Sequence, residues 1–520
     1  MAIIRFCNAR PCFTRIRKSP MNPNKSQINP GRRAFFQASA VGAIVGAQTL
    51  LLGEALGAES SAALDGVLKK PDLLHGEVLR TQGELIESRA AVVERERAIP
   101  IAGHSDVLVC GGGPAGIGAA LAAARAGASV QLIEVAGCLG GVWTAGLLTK
   151  IIGGGDKTGV MQEVLTAMQL RGGDVAKSTS GAVYDPELMK LVLEEMCVQA
   201  GVRIQLHTRL VGTVTDEQKR IVAIITESKS GRQAWVAKRY VDCSGDGDLA
   251  AQVGCQFDVG YDRNCECQPM SMMALLTGLN TAEVSEFIRE NGAEAKSRFY
   301  KFMKEAGIDP SYRAPTLRHL HSGIYSLMTN HEYGVSAFDA GAITEATIRS
   351  RAEVHAIVQG LRKLGSPWQD LAVVATAEQI GVREGRRIRG RYYITADDLI
   401  SGMRHKEAVC STRFGFDVHN VFPDGSNPPD VKRYQAAGVK KYDIPLPALV
   451  AADVDGLMMA GRCISGDFLA HSSYRVTGNA VPMGEAAGLT SAVSIQKGVM
   501  PHELAWNEVQ KFAQTKTVAS

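Results

Sequence analysis

Residues Ser105–Glu134 read SDVLVCGGGPAGIGAALAAARAGASVQLIE, and the order of residue types in this stretch decides the fold. Asp106 to Cys110 is a short apolar run that stops at three glycines, the pattern of a parallel strand buried on both faces. Gly111 takes the tight turn, Gly113 lets the backbone approach a pyrophosphate, and Gly116 lets a helix pack close to the strand. Pro114 belongs to the first turn of that helix, where a missing N–H costs nothing, and Ala115 to Arg125 is alanine-rich helix former. The free N–H groups and positive dipole end of the helix then face a diphosphate. Gly127 closes the helix, Ser129 to Ile133 is a second strand, and Glu134 follows where a carboxylate accepts from ribose hydroxyls. Glycine clusters arise by chance in a chain with 55 glycines. Two strands, a helix and a terminal carboxylate in the right order set this one apart as a dinucleotide-binding unit.

The composition outside the motif is that of an ordinary soluble chain: 520 residues, 45% apolar and 21% charged, long enough for two or three domains. Beyond the leader no apolar run reaches the roughly eighteen residues of a membrane span, so none is expected in the mature chain. The formal net charge is +4, but residues 1–58 hold eight Lys or Arg against Glu54 alone, which leaves the rest of the chain slightly acidic. That balance points away from a nucleic-acid surface.

The leader accounts for its own charge. Gly31-Arg32-Arg33-Ala34-Phe35-Phe36 precedes an apolar, small-residue segment from Ala38 to Leu52 and small residues from Ala55 to Ala58, the pattern of a twin-arginine export signal over residues 1–58. An exported, periplasmic or envelope protein is therefore expected, with an uncleaved anchor and a chance arginine pair as alternatives. Met21 is a candidate start. Residues 59–98, polar and rich in helix formers, read as a linker or surface helix.

Of the eleven cysteines, Cys7 and Cys12 fall in the leader and the nine others sit mostly in apolar runs, where Cys behaves as a small hydrophobe. Cys265-Glu266-Cys267 is the only close pair, and no CxxCxxC run supports an iron–sulfur cluster or another metal site.

After Glu134, the adjacent Gly140 and Gly141 let the backbone run beside a bound cofactor or simply form a loop. Gly153 to Thr158 lacks the Gly-Lys-Thr order of a phosphate loop. Asp185 opens a helix with Pro186 at its first position and an apolar stripe of Leu188, Leu191, Val192 and Met196. A strand from Val202 to Leu206 follows, then three runs, Leu210 to Val214, Arg220 to Glu227 and Gln233 to Val241, that form a small antiparallel meander. Val211 in its first strand is a candidate cofactor contact. The last strand runs into a second glycine turn, where Ser244, Gly245 and Asp246 are candidate cofactor contacts and Asp246 or Asp248 caps the next helix.

Order, spacing and motifs resemble the FAD-dependent oxidoreductases of the glutathione-reductase structural class, and more narrowly the family akin to the flavin subunit of heterodisulfide reductase. The matching pieces are IPIAGHSDVLVCGGGPAG, VYDPELMKLVLEE, RYVDCSGDGDLAA, IGVREGRRIRGRYYITADD, YDIPLPALV and GLMMAGRCISG, which lie within residues 99–493. The resemblance implies FAD in an α/β, doubly wound, Rossmann-like domain built from residues 99–253 and 443–495. It further implies an inserted, mostly helical α+β substrate domain over 254–442 and a C-terminal tail over 496–520. The iron–sulfur motifs of the heterodisulfide-reductase proteins are missing here. In the insert, Ala377 to Arg387 packs charges and glycines together, either a solvated basic face or a substrate or flavin contact.

The C-terminal return carries Leu457 to Ala460 as a buried strand and Gly461-Arg462 as its turn. His471-Ser472-Ser473-Tyr474-Arg475-Val476-Thr477-Gly478-Asn479-Ala480 then leads into a helix of small residues. This stretch is similar to the HGxNRxGGNA element of fumarate-reductase flavoproteins, whose arginine binds a substrate carboxylate. Arg475 matches that arginine, Gly478, Asn479 and Ala480 match its end, and Tyr474 and Thr477 depart from it. Gly478 and Asn479 bring backbone N–H groups and a positive dipole end to the flavin edge that gains charge on reduction. His471 is either a proton acceptor beside the flavin or a structural histidine.

The resulting expectation is an exported FAD enzyme acting on a small-molecule substrate. No second GxGxxG with its own strand and helix supports a nicotinamide partner, so electrons pass to or from a quinone or cytochrome. Reduction of an activated double bond, with Arg475 holding a carboxylate, and a flavin-carrying subunit of a larger complex are the alternatives.

Overall fold

The computed structural model describes residues 83–86, 91–94, 96–173, 176–178, 181–261 and 266–517. The leader with its arginine pair, Met21 and Cys265 lie outside the described residues. Ahead of the glycine motif, Gly83–Ile86 and Ala91–Glu94 pair as an antiparallel hairpin, with Leu85 opposite Val92. A helix or linker was expected there; the β-branched Val92 and Val93 favour the extended form.

The chain then lays down β1 (Ile101–Cys110), α1 (Pro114–Arg125) and β2 (Val130–Ile133), followed by α2 (Val160–Leu170) and α3 (Pro186–Gln199). Asp185 caps α3, its side chain accepting from the backbone N–H groups of Glu187 and Leu188. Next come β3 (Arg203–Gln205), β4 (Arg209–Thr215), β5 (Ile221–Ser228), β6 (Gly231–Asp242) and the short α4 (Asp248–Gln252). The intervening segment supplies β7 (Met273–Thr277), α5 (Ala295–Glu305), β8 (Thr316–His321), β9 (Ile324–Met328), α6 (Ala340–Arg362) and β10 (Ala372–Thr376). The return provides β11 (Leu457–Met459), α7 (Phe468–Tyr474) and α8 (Thr477–Lys497).

Five strands form a parallel sheet in the order β3-β2-β1-β6-β11. β6 serves twice. Its first half pairs antiparallel with β5, and β5 with β4, to make the meander; its last three residues pair with β11. This is why β1 is longer than its apolar run: Ile101 to Ser105 pair with the meander half of β6. Helix α8 lies against α1, and the contact is close because a Cβ on Gly484 or Gly488 would overlap the carbonyl oxygen of Ala115 or Ala119. The expected α/β, Rossmann-like architecture is present.

The insert is organised around an antiparallel sheet in the order β8-β9-β7-β10, with its own core of Phe287, Phe299 and Trp368 beside α6. It carries more sheet than its sequence suggested, because β7, β9 and β10 are short apolar runs without clear alternation and β8 carries Arg318, His319 and His321. No helix among the described residues is long and apolar enough to cross a membrane.

Candidate functional site

Parallel strands gather the ends of their sequences at one edge, and ligands bind outside those carboxyl ends. Here β1 ends at Gly111, β2 at Glu134, β6 at Cys243-Ser244-Gly245, and β11 at Ala460-Gly461-Arg462. All of these residues line one cavity of about 580 Å³. The turns are tied to one another: Gly111 N–H donates to the Ile133 carbonyl at 2.8 Å, Cys243 N–H to that of Cys110 at 2.8 Å, and Ala460 N–H to that of Asp242 at 3.0 Å.

Pro114 and Ala115, at the start of α1, also face the cavity, and Gly113 precedes them with φ −70°. A Cβ at Gly113 would meet nothing of the protein within 4 Å, so contact at that atom does not account for the glycine; a guest close to the backbone does. Glu134 is buried, with Oε2 accepting from Gly112 N–H at 2.6 Å and Oε1 from Ala136 N–H at 2.7 Å. Burial pushes its pKa up and these bonds pull it back. Each oxygen keeps a further lone pair for a ribose hydroxyl. These features fit a dinucleotide such as FAD, with its diphosphate at Gly113 and the N-terminus of α1.

The second glycine turn is held from below. Asp242, fully buried, accepts from Ser244 N–H at 3.0 Å, from Ser244 Oγ–H at 2.6 Å and from Ala250 N–H at 2.9 Å. Ser244 Oγ in turn accepts from Asp248 N–H at 2.9 Å. The opening of α4 is therefore served by Asp242 and Ser244, not by a cap from Asp246 or Asp248. Asp246 faces the cavity and accepts from Arg462 at 2.8 Å.

The cavity continues into the insert. Thr316, Met328 and Met273 are register partners across β8, β9 and β7 and form one row of its wall. Arg318, two residues along β8, shares that face. Lys150, Arg289, Lys296 and Arg383 line the same end, with Tyr312, Asp417 and His419. Arg475, which follows α7, completes the wall together with Val476, Thr477 and Ala480 at the start of α8. Its Nη2 donates to the Asp417 carbonyl at 2.9 Å and to Gln268 Oε1 at 3.3 Å. His419 Nε2 lies 3.7 Å from Asp417 Oδ2. Burial and the Arg383 charge push His419 down to about 4, so it is neutral at pH 7. Burial alone would raise Asp417, but His419, Arg475 and Arg383 outweigh it and hold the carboxylate below its usual range.

The remaining expected residues sit elsewhere. Gly116 packs α1 onto β1, since a Cβ there would overlap the Gly111 carbonyl oxygen. Gly141 lines the cavity, and Gly140 secures its turn by donating to the Gly112 carbonyl at 2.8 Å. Val211 is exposed and does not line the cavity, which its neighbours Thr208, Arg209 and Leu210 do. Gly478 and Asn479 are buried behind the wall, Gly478 against the backbone of Gly153 and Gly154. His471 is fully buried in α7 and does not line the cavity; burial, with the charges of Arg387, Arg475 and Arg462, pushes its pKa down. Neither of its ring nitrogens has a hydrogen-bond partner among the described residues.

The basic run near Arg383 is not a solvated face. Arg383 reaches the cavity wall, Arg386 pairs with Asp248, and Arg387 is buried against Glu384. Lys150, Arg289, Lys296, Tyr312, Arg318, Asp417 and His419 were not among the expected site residues. Apart from Asp417 and His419, two residues apart in one loop, they come from separate parts of the chain at no common spacing, and only the Thr316/Arg318 spacing on β8 hinted at a shared face. A second cavity of about 610 Å³, lined by Phe257, Tyr261, Arg387 and Tyr434 among others, shares no residue with the first. No group of three or more metal-ligating side chains is present among the described residues.

Residues 106–512 match the family model described as FAD dependent oxidoreductase. No curated protein shows significant similarity to the chain. Among solved structures, a geranylgeranyl bacteriochlorophyll reductase-like protein from Thermoplasma acidophilum is 12% identical, with a TM-score of 0.40 over 79% of this chain and 83% of that one. The p-nitrophenol 4-monooxygenase PnpA from Pseudomonas putida DLL-E4 is also 12% identical, with a TM-score of 0.41 over 80% and 88%. A triple mutant of the flavin-dependent brominase Bmp2 is 12% identical, with a TM-score of 0.43 over 79% and 84%.

Proposed function

The chain belongs to the FAD dependent oxidoreductase family, and from that premise we propose that it moves a hydride between FAD and a small organic substrate held at the insert end of the cavity. One observation carries this reading: a single cavity reaches from the Gly113 turn to Arg475, Asp417 and His419. When bound, FAD supplies a hydride acceptor or donor. The chain supplies the rest. Gly113 and the first turn of α1 take the diphosphate, and Glu134 takes the ribose hydroxyls. The N-terminus of α8 and Arg475 line the cavity, where they would place positive charge near a bound flavin. The proton that leaves the substrate with the hydride passes to the Asp417–His419 pair, whose coupled titration belongs to both groups.

In this reading the twin-arginine-type leader exports the protein, and a quinone or cytochrome takes the electrons, because the sequence has no second glycine motif for a nicotinamide. Reduction of an enoate is the second reading, favoured by the place of Arg475 on the wall. Anaerobic mixing with a metabolite panel tests both. Bleaching of the flavin by a substrate supports the main reading, and reoxidation of reduced flavin by an enoate supports the second. Neither response, with a stable partner in pull-downs, would replace both with a carrier subunit.

A further inference from the structure

We propose that the insert end of the cavity binds a small organic polyanion, one carrying at least two carboxylate or phosphate groups. The inference rests on the reading of that end as the substrate site. Its basis is a charge imbalance. Lys150, Arg289, Lys296, Arg318, Arg383 and Arg475 all face this end, and Asp417 is the acid on the wall beside them. Glu290, behind the wall, takes Lys150 at 3.3 Å and also pairs with Arg318.

Arg475 pairs with Asp417 Oδ2 at 3.3 Å, while Arg289, Lys296 and Arg383 form no ion pair with a carboxylate among the described residues. Arg289 donates to the Gly292 carbonyl at 3.2 Å, and Arg383 donates to the Pro269 carbonyl at 2.5 Å and to Ser271 Oγ at 2.9 Å. Lys296 Nζ stands 5.8 Å from the centroid of the Tyr312 ring. Arg475 spends one Nη on Asp417 and Gln268, and its buried Nε has no hydrogen-bond partner.

Cations gathered in a partly buried cavity repel one another and lose hydration. Lys296 shows the result: burial, then Arg318 and Arg289, push it down to about 8. A neutral or aromatic substrate would leave that cost in place. A single carboxylate satisfies one guanidinium, while Arg289, Lys296 and Arg383 are carried by different elements and present donors to more than one group. The cofactor diphosphate does not account for them, because its cradle lies at the turn between β1 and α1, whereas Arg289, Lys296 and Arg383 belong to the insert.

Calorimetric titration of the purified full chain, at fixed ionic strength, with succinate, citrate, inorganic pyrophosphate and acetate tests the proposal. At least one of the polyanions is expected to bind one per chain and more tightly than acetate. Lys296→Met, which breaks no ion pair, should weaken that binding by about tenfold to a hundredfold. Arg289→Met should do likewise and serves if the first variant fails to fold. Preference for succinate or citrate assigns carboxylates; preference for pyrophosphate assigns phosphate groups. If no polyanion outbinds acetate, or if both variants bind as the wild type does, the proposal is overturned. The visible spectrum of the same samples reports the flavin, so a chain without FAD counts against the oxidoreductase reading, and a flavin-loaded chain indifferent to polyanions counts against this one alone.

Discussion

Arg475 carries the most specific expectation at the scale of single residues. Its guanidinium faces the cavity, is held by Asp417 and Gln268, and keeps donors for a guest. Arg475→Met should lower kcat/KM by roughly tenfold to a hundredfold, the worth of a charged hydrogen bond, with flavin still bound. Steady-state kinetics on a substrate found by flavin bleaching would check this, and full activity would remove the assigned role. Glu485 carries a pH expectation. Its Oε1 accepts from Val160 N–H at 2.8 Å, and burial, then the Glu163 charge, push it from 4.5 to about 7. The folded protein therefore holds a proton that the unfolded chain releases, and this group's contribution to stability falls as pH rises from about 4.5 to about 7. Glu485→Gln keeps the acceptor and drops the titration. Thermal unfolding across that range should show the variant gaining on the wild type as pH rises, and parallel curves would contradict the assignment.

Among the elements, the buried pair Glu384–Arg387 joins three parts of the chain. Arg387 donates to the Gly466 carbonyl at 3.1 Å and to that of Gly260 at 2.9 Å, while Glu384 accepts from Gln268 N–H at 3.0 Å. Removing the guanidinium leaves a buried carboxylate uncompensated, so Arg387→Met should cost about 3–5 kcal/mol in denaturant unfolding. A loss under about 1 kcal/mol, the range of a surface pair, would show that the pair does not brace the insert. The sequence announced none of this, because a run of charges looks the same whether water or Gly260 and Gly466 receive its donors. The β1–α1–β2 unit was legible for the opposite reason. Each of its signals is local: the apolar run, the Gly111 turn, Pro114 at the helix start and Glu134 at the next strand's end. β6 was half legible, since its pattern gives a strand but not its division between meander and parallel sheet.

Across the whole molecule, two separate layers make one cavity: the carboxyl ends of β1, β2, β6 and β11, and the sheet of the insert. The nucleotide side was readable because its residues follow strands in a fixed order. The cationic side was not, because Lys150, Lys296, Arg318 and Arg383 meet only through the tertiary fold. The same distinction explains His471, whose motif context suggested chemistry and whose position in α7 is a packed interior.

The cradle at Gly113 ties the layers together and gives the most direct test. Its backbone is ordinary extended chain and a Cβ there would meet no protein atom within 4 Å, so Gly113→Glu should fold normally while projecting a carboxylate toward the diphosphate cradle. The measurement is the flavin-to-chain ratio, from the visible absorption of wild type and variant prepared side by side and reconstituted with excess FAD. The account predicts one FAD per wild-type chain and almost none in a Gly113→Glu chain with an unchanged far-UV circular dichroism spectrum. A correctly folded variant that keeps its full complement of flavin would contradict it.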